Sequence, residues 1–146
     1  MLSHQELSDR AEIQDLMTRY AYAIDDRDWD ALDSVFTPDA IIDYSEAGGA
    51  RGTVPEIKKF LAEAMGNFSA FQHLSTTTQI RIDGDRAKAR TILFNPMVMQ
   101  HEGQERVFFV GLWYNDDLVR TPDGWRITHR REQMSYTYNM PAEMKP

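Results

Sequence analysis

The apolar residues of this chain repeat at one period in its first two dozen positions and at another in its second half. That switch limits the possible folds more than any single motif does. Over residues 3–24, Leu7, Ala11, Ile13, Leu16, Met17, Tyr20, Ala21 and Ile24 fall mostly three or four apart, the spacing of one face of an amphipathic helix. A helix of about twenty residues is a rod of roughly 30 Å, and Ser3 with Glu6 has the capping-box spacing at its start. After Gly66 the texture changes. Residues 72–82, 86–101, 105–119 and 125–138 are rich in Thr, Ile, Val, Phe, Trp and Tyr, as strands are. Between them lie Asp83-Gly84-Asp85, Glu102-Gly103-Gln104 and Thr121-Pro122-Asp123-Gly124, which are turn-forming sequences. An antiparallel meander of long strands, covered on one face by helices, is an α+β arrangement. With no linker, repeat or low-complexity segment, one domain over residues 1–146 is expected.

The connection between the halves is more broken. The acidic run Asp25-Asp26-Arg27-Asp28-Trp29-Asp30 interrupts the first helix. A short helix with Trp29, Leu32, Val35 and Phe36 turned inward is predicted next, ended by Pro38, and then a short strand over 40–44. Residues 45–53 hold Gly48, Gly49 and Gly52 and read as a loop. Thr53 caps a second helix with Pro55 in its first turn and Ile57, Phe60, Leu61 and Met65 on one side. A long curved sheet laid over a rod leaves a space between them. Such a pocket is mostly apolar with a few convergent polar groups.

Composition removes many chemistries from that pocket. There is no cysteine, so disulfides, thiol nucleophiles, iron–sulfur clusters and cysteine-ligated zinc are excluded. Histidines number four, and no His-x-His, His-x₃-His or dense carboxylate loop suggests a metal site. The glycines of 48–52 lack both the phosphate-loop lysine and the dinucleotide spacing, and no Gly-x-Ser-x-Gly elbow occurs. No cofactor is expected. The net charge of −7 without a basic run argues against nucleic acid. No apolar leader and no run of about 18 apolar residues is present, so no membrane association and a cytoplasmic location are expected.

Acid–base chemistry is what the remaining polar residues favour. His73 opens the first long strand, on a parity shared with Ser75, Thr77, Gln79 and Arg81. That parity is polar, so His73 either borders a wet pocket or is switched inward by a bulge; a hydrogen-bonded, half-exposed histidine is the plainer reading. Asp25 ends the first helix at the margin of its buried face, and it also begins an acidic cluster of the kind that often faces solvent. Tyr20 lies within the apolar stripe, where a packed tyrosine with a satisfied hydroxyl is the ordinary case. Tyr44, Trp113, Tyr114, Tyr136 and Tyr138 read first as packing. His129 shares a strand parity with Trp125 and Ile127, which would turn it into the cavity. His4 and His101 fall at exposed ends.

Two stretches carry a resemblance. One runs from Ile13-Gln14-Asp15-Leu16 through Tyr20, Asp25, Trp29 and Leu32 to Phe36-Thr37-Pro38-Asp39-Ala40. The other is Trp113-Tyr114-x₃-Leu118-Val119-Arg120 with Asp123-Gly124-Trp125-Arg126-Ile127. Together they resemble the SnoaL-like branch of the NTF2-like superfamily, which includes scytalone dehydratase, bile acid 7α-dehydratase, hexachlorocyclohexane dehydrochlorinase and polyketide cyclases. The resemblance implies a cone in which N-terminal helices pack on a curved mixed, mainly antiparallel sheet enclosing a pocket. It also implies a catalytic pair at Asp25 and His73, matching the Asp and His of the eliminating members. Tyr20 matches a tyrosine of the bile acid enzyme, and Tyr44 a pocket tyrosine of scytalone dehydratase. Met97 stands where scytalone dehydratase has a second histidine, and His129 where the dehydrochlorinase has an arginine. Met97, Trp113, Tyr44 and His129 are therefore expected to bind substrate.

The expected activity is a cofactor-independent lyase, a dehydratase acting on an apolar, cyclic hydroxy-carbonyl compound of steroid, terpenoid or polyketide type. Catalysis by Tyr20, Asp25 and His73 would serve an isomerase or cyclase equally, and a non-catalytic binding module is the reading from another class. The family also implies a homotrimer or homodimer formed through the outer sheet face.

Overall fold

In the computed structural model, which describes residues 1–146, the N-terminal stripe is a single helix, α1 (His4–Asp25). Ser3 caps it: its Oγ accepts from the Glu6 amide at 3.1 Å, and the Glu6 carboxylate accepts from the Ser3 amide at 2.7 Å. Ile13, Leu16, Met17, Tyr20, Ala21 and Ile24 form its buried face. Asp9 is buried with them. It accepts two bonds from Arg120, at 2.6 and 3.0 Å, and one from the Trp125 indole at 3.0 Å, so the first turns of the helix are tied to the sheet beneath.

A 3-10 turn over Trp29–Ser34 leads into β1 (Phe36–Asp43). Pro38 lies inside this strand instead of ending the preceding helix. The parallel register of β1 against the last strand is interrupted between Phe36 and Ile41, so Pro38 stands where no ladder bond requires its missing N–H. β2 (Arg51–Thr53) is a short antiparallel partner of β1 within the glycine loop. α2 (Val54–Ala64) follows, with Thr53 and Glu56 as its capping box and Pro55 in its first turn.

The second half supplies β3 (Ala70–Phe71), β4 (Leu74–Asp83), β5 (Arg86–His101), β6 (Gln104–Thr121) and β7 (Gly124–Tyr138). The sheet runs in the order β2-β1-β7-β6-β5-β3, with β4 also on β5. All pairings are antiparallel except β1 with β7. β3 and β4 lie end to end along one edge of β5, with Gln72 and His73 bridging them. β7 carries two breaks in its register with β6, one beside Thr128 and one beside Ser135; bulges of this kind bend a strand. This is the mixed, mainly antiparallel α+β sheet that the family resemblance implies. The parallel β1–β7 pairing is what it adds to the antiparallel meander read from the strands alone, and α1 packs on β4 and β7. No helix is long and apolar enough to cross a membrane.

The core lies between α1, α2 and the inner sheet face, and its fully buried side chains include Leu16, Leu32, Ile42, Ile57, Phe108, Trp125 and Ile127. At the end of the sheet where β7 bends, this core opens into a cavity.

Candidate active site

The cavity has a volume of about 470 Å³ and an apolar lining built on Ile24, Leu61, Met65, Leu93, Met97, Val110 and Leu112. That size suits a mid-sized organic ligand. The loop at Ala47–Gly49 and the C-terminal residues Met140, Glu143 and Met144 also line the cavity. Polar atoms enter it from two groups of residues.

The first group forms where α1 ends. Arg27, in a left-handed conformation, donates to the Met65 and Phe68 carbonyls at 2.7 and 2.9 Å. Its guanidinium also lies 4.6 Å from the Phe71 ring, which holds the 65–71 connection against the helix end. Gln72 and His73 then break the β3–β4 edge, and the Asp25 carboxylate fills the gap. It accepts the His73 backbone N–H at 3.0 and 3.1 Å and the ring Nδ1–H at 2.7 Å. One carboxylate thus fixes both the backbone and the imidazole of the same residue. The His73 side chain is only 7% exposed, with the Phe71 ring edge-on to it. With Nδ1 committed to Asp25, Nε2 is the nitrogen left for chemistry. The Asn95 amide nitrogen lies 3.3 Å from it, and Asn95 Oδ1 is buried with no partner.

The second group is phenolic. The hydroxyls of Tyr20 and Tyr44 are hydrogen-bonded to each other, and Tyr114 packs edge-on to Tyr20 at 5.4 Å. Burial pushes the Tyr20 phenol above its ordinary value and the Tyr44 and Tyr114 phenols well above theirs, so all three keep their protons at neutral pH. Beneath them Arg130 lies 4.2 Å from the Tyr20 ring and 3.9 Å from the Tyr114 ring. Arg130 Nε and Nη2 each donate to Asp116 at 2.8 Å. Burial works against that guanidinium charge, and Asp116 outweighs it. Glu132, on β7 directly opposite Tyr114, also lines the cavity.

Of the residues expected to form the site, Tyr20, Tyr44, His73 and Met97 line this cavity, and Asp25 stands behind His73. Trp113 and His129 do not belong to it. Trp113 is on the outer face of the sheet, stacked on Arg90 at 4.3 Å. His129 is on that face too, in a polar recess with Arg90, Asp117 and Arg131. The bulge beside Thr128 is the reason: Ile127 pairs with Leu118 and His129 with Asp117, so the parity changes and Arg130 takes the inward place. Sequence reasoning also missed Asn95 and Glu132. Alternation along β5 was the available signal for Asn95, since Leu93, Asn95 and Met97 share the inward side. For Glu132 the same count from Trp125 gives the wrong face.

Comparison with known proteins agrees with this architecture. A family model described as a SnoaL-like domain matches residues 5–131. An uncharacterized protein of Mycobacterium tuberculosis, Rv2910c, is 54% identical over 132 residues, covering 90% of this chain and 89% of the relative. Among solved structures, the Kfla4162 protein from Kribbella flavida superposes with a TM-score of 0.82 at 30% identity, over 91% of this chain and 95% of that one. The hexachlorocyclohexane dehydrochlorinase LinA-type3 from Novosphingobium barchaimii superposes at 0.78 with 19% identity, over 93% and 92%; at that identity the likeness is one of fold. A nuclear transport factor 2-like protein from Salmonella enterica shares the same fold at a TM-score of 0.75 and 21% identity, over 89% and 93%. By its matched family model and its relatives, the chain belongs to the SnoaL-like family and has the NTF2-like fold.

Proposed function

We propose that the protein is a cofactor-independent lyase, a dehydratase that removes water from an apolar, cyclic hydroxy-carbonyl compound. The observation that carries this reading is the Asp25–His73 pair at the wall of an apolar cavity. Asp25 holds the imidazole in the tautomer that leaves Nε2 with its lone pair, and it stabilises the cation formed when Nε2 takes a proton. A carbon-bound proton next to a carbonyl is the substrate such a base can remove. The buried Tyr20–Tyr44 hydroxyl pair is suited to donate to the carbonyl oxygen, where negative charge gathers as that proton leaves. Dispersion contacts with Met97, Leu93 and Val110 favour an alicyclic or aromatic body over a charged one. Hexachlorocyclohexane dehydrochlorinase, of like fold, also catalyses an elimination, as its name states.

The test is solvent exchange with 1-tetralone, a bicyclic ketone with acidic protons beside its carbonyl and no leaving group. In D₂O the protein should catalyse uptake of deuterium at that carbon, read by mass spectrometry. His73→Asn should lower the rate by about 10²–10⁴-fold, the usual size of a general-base contribution, while ketone binding persists. Exchange that survives in this variant would remove His73 from the mechanism, and ketone binding without exchange in the wild-type protein would leave a binding module. With 3-hydroxy-1-tetralone, loss of water distinguishes a dehydratase from an isomerase, whose product keeps the substrate mass.

A further inference from the structure

Elimination of water needs a proton for the departing oxygen as well as a base for the carbon-bound hydrogen, and the pair at Asp25 and His73 supplies only the base. We propose that Glu132 is the proton donor of this cavity, a neutral carboxylic acid that protonates the leaving hydroxyl while His73 takes the carbon-bound proton. This assignment rests on the dehydratase reading.

Its position carries the argument. Glu132 lies on β7 opposite Tyr114, lines the cavity together with His73, and takes part in no salt bridge or protein hydrogen bond that would hold it ionised. The guanidinium nearby, Arg130, gives Nε and Nη2 to Asp116 and keeps Nη1 buried without a partner; it makes no hydrogen bond to Glu132. The other groups around it are the phenols of Tyr20 on α1, Tyr44 after β1 and Tyr114 on β6. Asp43 on β1 adds a like charge, and Glu143 and Lys145 line the cavity from the C-terminal turn. Burial, opposed by Arg130 and reinforced by Asp43, pushes the Glu132 carboxyl up to about 8. The acid therefore holds its proton at neutral pH and still parts with it readily, as a general acid should. The phenols, pushed above their ordinary values, are better hydrogen-bond donors than proton donors.

The step balances. The electrons of the C–H bond become the new C=C bond as the proton moves to His73 Nε2. Those of the C–O bond leave with the oxygen, which takes the Glu132 proton and departs as water. Glu132 ends as carboxylate and His73 as imidazolium, and transfer of one proton between them through solvent restores both.

Glu132→Gln keeps shape and neutrality and removes the transferable proton. Two measurements decide the matter. In infrared spectra at pH 7 the protein should show a protonated-carboxyl C=O band that is missing from the Glu132→Gln protein; no such difference would overturn the proposal without reference to any substrate. With the tetralones, Glu132→Gln should lower dehydration of 3-hydroxy-1-tetralone by about 10²-fold or more beyond any effect on exchange into 1-tetralone, and an equal loss of both would overturn the role as proton donor. Dehydration at the wild-type rate in Glu132→Gln would overturn the role of Glu132 alone. Absence of exchange in the wild-type protein would instead bring down the His73 reading, and the role of Glu132 with it.

Discussion

Asp116 and Arg130 meet with no side-chain surface exposed on either partner. Desolvating two charges costs several kcal/mol each, and their attraction offsets this only when both are present in good geometry. The bidentate 2.8 Å contacts meet that condition, and the same guanidinium supports the Tyr20 and Tyr114 rings from below. Asp116→Asn leaves Arg130 buried without its counter-charge. Urea unfolding should show a loss of about 3–5 kcal/mol, the usual effect of removing one partner from a buried pair. The double replacement Asp116→Leu with Arg130→Met should lose less than Asp116→Asn alone, because no charge is then stranded. A double variant as damaged as the single one would mean that the pair acts through packing and not through charge.

At the scale of elements, the helix and the sheet are joined by the Asp9–Arg120–Trp125 cluster. The Arg120 hydrogen bonds, against the opposing effect of burial and with help from the Trp125 indole, hold the Asp9 carboxyl well below the usual carboxylate range. A depressed native value stabilises the fold fully above the unfolded carboxylate value of about 3.9 and progressively less as pH falls through that value toward the native one. Asp9→Asn does not titrate there. Its stability deficit against the wild-type protein should be full at pH 7 and shrink below about pH 4, measured by denaturant unfolding across pH; a deficit equal at pH 7 and pH 3 would falsify the linkage. The elements themselves were mostly legible in the sequence. The capping boxes at Ser3 and Thr53 and the regular inward row of β5 follow from local pattern, and that row contains Asn95. β7 was not legible, because its two bulges answer to pairing with β6 and to the curvature of the sheet, and no glycine or proline marks Thr128 or Ser135. Each bulge reverses the parity, so alternation counted from Trp125 puts His129 inside and Glu132 outside. The site shares this limit: Asp25 and His73 were named by resemblance, while the contact of one carboxylate with both backbone and ring of His73 depends on a break between β3 and β4 that alternation does not show.

On the whole molecule, the outer sheet face divides in two. Near the β4–β5 and β6–β7 turns it is polar, with Lys88, Arg90, Asp117, His129 and Arg131 around one recess. Toward the other end Leu74, Ile92, Val107, Tyr136 and Tyr138 are among the exposed large apolar side chains, each at least 40% exposed. Cross-strand registers make them neighbours: Ile92 lies beside Trp113, Phe94 beside Gly111, and Phe109 beside both Pro96 and Tyr138. The Tyr136 ring crosses Gly111 so closely that a Cβ there would collide with it, which flattens the patch. Contiguous apolar surface of this kind is unusual on a monomer, and a second copy of the same chain can cover such a face. The cavity lies against the other face of the sheet, where Leu93, Asn95, Met97, Val110 and Leu112 line it, so covering the outer face does not fill it. The expected solution state is therefore a homodimer or homotrimer, read by light scattering. Ile92→Glu with Tyr136→Glu should shift it to monomer, because two like charges would be buried without partners. The same variant should keep the cavity and the Asp25–His73 contact, whose residues lie on the inner side. A wild-type protein that scatters as a monomer at micromolar concentration would leave the apolar half of this face without the role argued for it.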